Sequence, residues 1–370
     1  MTTATPATTQ ALVVVETGKV EIQEVPVPKV YDDWILVKVK AVGLNPADWK
    51  SIDKEWAEAG TRVGLDYAGE VVELGPNVTK DFKKGDRIAG WTQGGNPLHR
   101  ECGAFGGYAL VKQHVQMKIP DHITDEEAAT LGVSITTVGQ GLYAPQGLFL
   151  PPPTSPSPTP LPVLIYGGST ATGIYGIQFA KASGLKVAAT CSPRNFELVR
   201  GLGADAVFDY NDANCAAAIR DFAGGKLRAA WDCTGLGVAV CGEALRWDNE
   251  QEKEAQEEEE EAPTYAAILM VPEEDLRKAN PRARGPKFTL GYDGIGDEYL
   301  TSAGAIKVDP EQRDFAAWFW EVSEGLLRKG TIKPLKPEVN RWGDGLEGVL
   351  KGLADLKAGK VSGTKLVYTL

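Results

Sequence analysis

The sequence predicts an α/β chain of two domains, a doubly wound parallel sheet and a β-rich domain ahead of it. Three observations predict this. The first is Val163-Leu-Ile-Tyr-Gly-Gly-Ser-Thr-Ala-Thr-Gly173, an apolar run that ends in glycines and small hydroxyl residues and passes at once into an amphipathic segment through Lys181. It reads as a buried strand, a tight turn and a helix N-terminus. The second is the repetition of that βα rhythm, with strand-like Leu185–Thr190, Asp205–Tyr210 and Ala229–Cys233 spaced by helical stretches; this implies a parallel sheet. The third is a change of grain in front of it. Ala11–Val15, Trp34–Lys40, Ala68–Leu74 and Phe82–Gly90 are strand-like and separated by Gly, Pro and Asn turns, the pattern of a compact β domain of barrel type.

Taken in order, the front strands lead to Pro151–Pro162, which holds so many prolines that neither a helix nor a central strand fits; an extended surface loop is expected. The glycine turn follows. Gly167 and Gly168 let the backbone turn and approach a ligand, and Gly173 and Gly176 let the helix pack closely on the sheet. Free N–H groups at Ser169, Thr170, Ala171 and Thr172, with the positive end of the helix dipole, suit a diphosphate. Gly168 and Gly173 have P-loop spacing, but Ile174-Tyr175 fills the Lys-Ser/Thr positions, so nothing would hold a γ-phosphate or Mg²⁺. The second strand ends in Cys191-Ser-Pro-Arg-Asn195 with no acid to grip a ribose 2′-hydroxyl. Ser192 and Arg194 instead offer a hydroxyl and a fixed cationic fork, which suit a 2′-phosphate, so the cofactor expected is NADPH. An apolar fifth strand carries Ile268-Leu269, and Asn280–Pro286 reads as a basic loop. The terminal Lys360–Tyr368 is again strand-like and is expected to return to the β-rich domain.

Composition narrows the class. No apolar run in the 370 residues approaches the ~20 a membrane helix needs. The N-terminal Met1–Thr9 lacks the basic and apolar regions of a signal peptide, so a cytoplasmic protein is expected. Most of the net charge of −11 comes from Asp248–Ala262, which holds nine acids and one lysine. That run reads as a solvated loop, and the nearly balanced remainder gives no nucleic-acid surface. The five cysteines are scattered, with no C-x-x-C pair, and read as buried thiols rather than a disulfide frame or zinc cluster.

Gly64-Leu-Asp-Tyr-Ala-Gly-Glu-Val-Val-Glu-Leu-Gly75, Gly85-Asp-Arg87, the glycine turn and Ser362-Gly-Thr-Lys-Leu366 together resemble the medium-chain dehydrogenase/reductase superfamily over nearly the whole chain. Tyr166–Gly173, Cys191–Phe196 and Asn45-Pro-Ala-Asp-Trp-Lys50 are most similar to the trans-acting, TOXD-like enoyl reductases of fungal polyketide synthases. The family usually carries His where this chain has Arg194. The resemblance implies a Rossmann-type NADP-binding domain over 136–304, with surface insertions at 151–162 and 248–262, and a discontinuous GroES-like catalytic domain over 1–135 and 305–370. It also implies that Ala47, Asp48, Trp49 and Lys50 touch the cofactor from the β-rich side, and that Ser362 and Gly363 belong with them. The same resemblance gives Ser192, Pro193, Arg194 and Asn195 to the 2′-phosphate, Tyr210 at the end of the third strand to the adenosine, and Ile268 and Leu269 to the nicotinamide. The substrate channel maps on Thr137, Val138, Gly139, Gln140 and Gly141 and on Gly291, Tyr292, Asp293, Gly294 and Ile295. Lys50 and Tyr292 are the candidate catalytic residues, the phenol of Tyr292 being able to donate to an enolate.

Zinc-dependent members of the superfamily carry Cys where this chain has Asn45, and Gly-His-Glu where it has Gly64-Leu65-Asp66; their four-cysteine lobe is missing too. The candidate ligands left are His99, Cys102 and Asp66; His99-x-x-Cys102 could chelate, but the plainer reading is a polar loop, so no metal is expected. Alcohol oxidation then loses its Lewis acid, whereas an activated alkene needs less help, which points to C=C reduction. The reading is an NADPH-dependent enoyl reductase acting on a polyketide thioester held by an acyl carrier protein and its synthase. The alternatives are a free-standing quinone or enone reductase and a non-catalytic NADPH-binding scaffold. A monomer is expected, because the insertions flank nucleotide-domain strands and like charge there would repel a second copy.

Overall fold

The computed structural model describes residues 5–54, 57–246, 262–301 and 304–370. The acidic run 248–261 therefore lies outside the described residues. The chain divides into two compact units, residues 1–136 with 291–370 and residues 137–290.

In the first unit, β1 (Thr8–Glu16) and β2 (Lys19–Pro26) form an antiparallel hairpin. The apolar stretch of β1, Ala11–Val14, is buried. β3 (Trp34–Gly43) is the hub of a seven-stranded sheet with β4 (Asp66–Leu74), β5 (Arg87–Trp91), β6 (Tyr108–Lys112) and β7 (Gln116–Lys118). β3 pairs with β4 along its length, while its Trp34–Lys38 half also pairs with β6. β-branched and aromatic side chains fill the interior, among them Val37, Tyr67, Val71, Ile88 and Phe105. The strand expected from Phe82 begins only at Arg87, because Phe82–Asp86 forms the turn into it.

The second unit is a six-stranded sheet: β8 (Pro162–Tyr166), β9 (Lys186–Thr190), β10 (Ala206–Phe208), β11 (Ala229–Asp232), β12 (Thr264–Ala267) and β13 (Arg284–Phe288). The order is β10-β9-β8-β11-β12-β13 and every neighbouring pair is parallel. The order reverses between β8 and β11, which is where such sheets bind ligands, beyond the strands' carboxyl ends. The residues before β8 form turns, and Pro162 opens the strand, a position where a missing N–H is tolerated.

Three expectations are corrected here. Tyr210 lies two residues beyond β10, in a turn. Ile268 and Leu269 follow β12 rather than lying on it. The basic loop 280–286 is partly strand: Arg284-Gly285-Pro286 opens β13, where the edge position and a register shift accommodate proline.

From Gly291 the chain is back in the first unit, so the described part of residues 291–304, expected with the nucleotide domain, groups with the β-rich one. The His114 Nε2···Gly294 O bond of 2.9 Å and the Trp91–Tyr292 ring contact are part of the reason. A short hairpin, β14 (Tyr299–Thr301) with β15 (Gly304–Ile306), precedes the helix Pro310–Arg328. That helix is capped by Asp309, whose carboxylate accepts from Glu311 N at 3.0 Å, and it buries Phe319 and Trp320. β16 (Pro337–Val339), the helix Gly345–Lys357 and β17 (Lys365–Thr369) close the unit, with β17 antiparallel to the Ala41–Gly43 end of β3. All five cysteines are free and buried. Among the described residues no helix is long and apolar enough to cross a membrane.

Candidate active site

In the second unit the turn after β8 is pinned to β9. Gly167, at φ +82°, donates to Thr190 Oγ1 at 3.1 Å, and Gly168 N donates to Thr190 O at 2.7 Å. Thr170 caps the helix Ala171–Ala182: its Oγ1 donates to Gly167 O at 2.8 Å and accepts from Gly173 N at 3.0 Å. A Cβ at Gly173 would stand 2.2 Å from Gly167 O, and one at Gly176 would stand 2.6 Å from the Trp231 ring. Both glycines are thus required by close approach. Ser169, Ala171 and Thr172 leave their N–H groups without a hydrogen-bond partner among the described residues. A capped helix end with unspent N–H groups is a cradle for a diphosphate, so the turn fits the dinucleotide the sequence implied.

At the end of β9, Ser192 Oγ and Tyr210 OH are 2.8 Å apart, and the Tyr210 ring lies 6.1 Å from that of Tyr166. Pro193 and Arg194 are exposed, Asn195 is buried, and Arg194 has no acidic partner among the described residues. Asp209, after β10, is turned into its own loop, accepting from Asn211 N at 3.0 Å and Nδ2 at 3.1 Å. A hydroxyl pair and an aromatic face stand together here, two residues along the chain from the exposed Arg194.

Asp232, the last residue of β11, organises the next loop. Its Oδ1 accepts from Thr234 N (2.8 Å), Thr234 Oγ1 (2.7 Å) and Gly235 N (2.9 Å); its Oδ2 accepts from Gly237 N (2.6 Å) and Tyr265 OH (2.9 Å). Sequence reasoning counted Asp232 only as part of a strand. The loop it holds lies against the one after β12: a Cβ at Gly235 would meet Leu269 at 2.7 Å. Leu236 and Met270 are 83% and 82% exposed there, beside Ile268 and Leu269.

Thr137–Gly141 closes one helix and opens a π-helical turn, Gly139–Tyr143. Thr137 is half-buried, but Val138, Gly139, Gln140 and Gly141 are buried, with Gly141 packed on the Trp231 indole. The described conformation thus turns four of these five expected channel residues inward.

In the first unit, Asn45 and Asp48 form a capping box on the helix Pro46–Asp53, with Asp48 Oδ2 accepting from Asn45 N at 2.6 Å. Asp48 is fully buried. Burial, reinforced by the charge of Asp66, pushes its carboxyl up to about 8. The side chain points into the protein, which corrects its expected place in the cofactor contact set; Ala47, Trp49 and Lys50 stay partly exposed. Lys50 Nζ lies 5.8 Å from the Trp49 ring centroid and has no carboxylate partner among the described residues. Burial, helped by Lys54, lowers its pKa. Tyr292 is held by Trp91 (ring centroids 6.2 Å) and Tyr299 (5.6 Å, edge-on). Its phenol is pushed up by burial and by Asp48. Gly291, Asp293, Gly294 and Ile295 form the turn around it. Ser362 is exposed, and Gly363, at φ +68°, turns the chain before β17.

Lys365, present in the Ser362-Gly-Thr-Lys-Leu366 motif, was not among the expected site residues. Its buried ammonium donates to Asn45 Oδ1 at 2.8 Å and Asp66 Oδ2 at 2.5 Å, and Asp66 Oδ1 accepts from Val133 N at 2.7 Å. A cation thus bonds two of the positions at which zinc-dependent members differ from this chain. His99 Nε2 instead faces Asp297 Oδ2 at 3.7 Å, and Cys102 is buried with its thiol pushed up by desolvation. Among the described residues no group of three or more His, Cys, Asp or Glu could hold a metal.

Residues 31–121 match the alcohol dehydrogenase GroES-like domain, and residues 171–242 match the family described as zinc-binding dehydrogenase. The latter stretch contains no histidine. The chain is 41% identical over 364 residues to the trans-enoyl reductase ACTTS2 of Alternaria alternata, covering 98% of this chain and 99% of that one. It is 43% identical over 277 residues to the trans-enoyl reductase TOXD of Cochliobolus carbonum, covering 74% and 86%. The chain belongs to the trans-enoyl reductase family. The crystal structure of the CurK enoyl reductase has the same fold, with a TM-score of 0.73 at 16% identity over 98% of this chain and 99% of that one. Family membership makes the protein an oxidoreductase of the medium-chain superfamily and brings a nicotinamide cofactor with it. Within the trans-enoyl reductases, the glycine turn is the feature of this chain best suited to that dinucleotide.

Proposed function

We propose that the protein is an NADPH-dependent, trans-acting enoyl reductase that saturates the α,β double bond of a polyketide thioester on an acyl carrier protein. The single observation that carries this is the near-full-length identity to trans-enoyl reductases. The exposed, unpaired Arg194, two residues along the chain from Ser192 of the Ser192–Tyr210 pair, supports NADPH over NADH. The free N–H groups of Ser169, Ala171 and Thr172 take the diphosphate, that of Thr170 being spent on Gly167 O; Ser192 and Arg194 take the 2′-phosphate, and Tyr210 the adenosine; Leu236 and Leu269 supply apolar surface for the nicotinamide end.

Bound NADPH supplies the hydride that the β-carbon receives. The chain's own residues then have two tasks. One is to stabilise the negative charge that gathers on the thioester oxygen, a task for the ammonium of Lys50, which has no competing carboxylate. The other is to deliver a proton to the α-carbon. Tyr292 is the candidate for this, because its phenol carries a proton and has no hydrogen-bond acceptor of its own among the described residues. The partner is the synthase that carries the acyl chain.

The test offers an enoyl pantetheine thioester, a simple quinone and a simple aldehyde, each with NADPH deuterated at the transferring position. Turnover of the thioester with deuterium at the β-carbon is expected. Activity on the quinone alone moves the protein to a stand-alone reductase, and activity on the aldehyde alone removes the C=C reading.

A further inference from the structure

We propose that Lys112, His114 and Asp297 form a clasp that positions Tyr292 for proton delivery; the proposal rests on the catalytic reading of Tyr292 above. The turn Gly291–Ile295 and the residues after it are tied to the β-rich unit at several points just beyond the phenol-bearing residue. His114 Nε2 lies 2.9 Å from Gly294 O. A carbonyl only accepts, so Nε2 carries the hydrogen. Burial holds the His114 pKa down to about 4, so the ring stays neutral and the bond does not titrate near neutral pH. Three residues further on, Asp297 Oδ1 takes the buried Lys112 ammonium at 3.1 Å. Asp33 holds the same ammonium at 2.8 Å, and it lies 4.5 Å over the Trp34 ring. His99 Nε2 faces the other oxygen of Asp297 at 3.7 Å, and Asn96 Nδ2 donates to Glu298 O at 3.4 Å.

The turn also packs inward. A Cβ at Gly294 would stand 2.7 Å from Thr136 Cγ2, and Thr136 Oγ1 accepts from both Trp91 Nε1 (3.0 Å) and Trp320 Nε1 (2.8 Å). Tyr299 OH is committed to Asp293 Oδ1 at 2.8 Å. The neighbours of Tyr292 are therefore bonded or packed, while its own hydroxyl has no partner among the described residues. A ring wedged in place with a free O–H is what a proton donor needs, since a misplacement of ~1 Å costs turnover heavily. Lys112 and Asp297 act through the turn and are positioning residues.

The experiment is a double-mutant cycle of Asp297→Asn and Tyr292→Phe, read as kcat on an enoyl pantetheine thioester, the NADPH dissociation constant and the solvent deuterium isotope effect. Tyr292→Phe is expected to lower kcat at least tenfold. Asp297→Asn should lower it several-fold, raise the solvent isotope effect and leave NADPH binding within twofold, and the double variant should be no slower than Tyr292→Phe. Lys112→Met supplies a second entry to the same cycle if Asp297→Asn does not fold. Additive losses, or equal losses in kcat and NADPH binding, overturn the clasp while leaving Tyr292 catalytic. Unchanged kcat in Tyr292→Phe removes the catalytic reading of Tyr292 and the clasp with it.

Discussion

Replacing Lys365 with methionine tests the polar centre of the first unit. The ammonium is the only cation bonded to Asp66 among the described residues; the two side chains are 2% and 0% exposed, and the ammonium also satisfies Asn45. Methionine fills similar volume but leaves the Asp66 carboxylate with backbone N–H support and no counter-charge. Stranding one partner of a buried pair costs about 3–5 kcal/mol. For a unit of this size each kcal/mol shifts the midpoint by about 2–4 °C, so a fall of roughly 6–20 °C is expected. Thermal unfolding followed by circular dichroism, with urea titration as a check, measures it. The double variant Asp66→Asn/Lys365→Met removes both charges and should recover most of the loss, because a neutral pair has little desolvation penalty. A Lys365→Met protein within ~1 kcal/mol of the parent, or a double variant no better than the single, would refute the reasoning.

Three further outcomes are expected. Arg194→Ala should raise the NADPH dissociation constant about tenfold or more with little effect on NADH, as fluorescence titration with both cofactors will show; equal losses would detach Arg194 from the 2′-phosphate. Gly176→Ala should destabilise the second unit by about 1–3 kcal/mol, because the added methyl meets the Trp231 ring at 2.6 Å; a neutral denaturation midpoint would show that the helix can slide. Asp48 titrates near 8 in the fold, against an ordinary value of 3.8, so between those values the native protein holds a proton that the unfolded chain releases. Its contribution to stability therefore falls as pH rises through that window. Asp48→Asn keeps an acceptor for Asn45 N but cannot titrate, so its denaturation midpoint should drop less than the parent's between pH 5 and pH 9; parallel pH curves would show that Asp48 does not carry the proton.

What was legible in this chain follows the range of the interactions that make it. The glycine turn was readable because its constraints are local: a positive φ at Gly167, a cap at Thr170, and a close approach at Gly173 to Gly167, six residues back. Strand ends were less readable. Tyr210, Ile268 and Leu269 sit one or two residues past their strands, since a run of apolar residues does not say where the ladder stops. Asp48 was misplaced although its signal was local. Asn45 and Asp48 have capping-box spacing, which turns the carboxylate back toward the helix start and into the buried interior. The polar centre of the β-rich unit had no local signal at all. Lys365 meets Asp66 across 299 residues and Asn45 across 320, and in sequence it is one more lysine of the strand-like Lys360–Tyr368. Two substitutions away from the zinc pattern, Asn45 and Asp66, looked like losses when read alone. Joined by Lys365 they form a buried charged cluster, so a metal ion could enter only by displacing an ammonium that already satisfies both side chains.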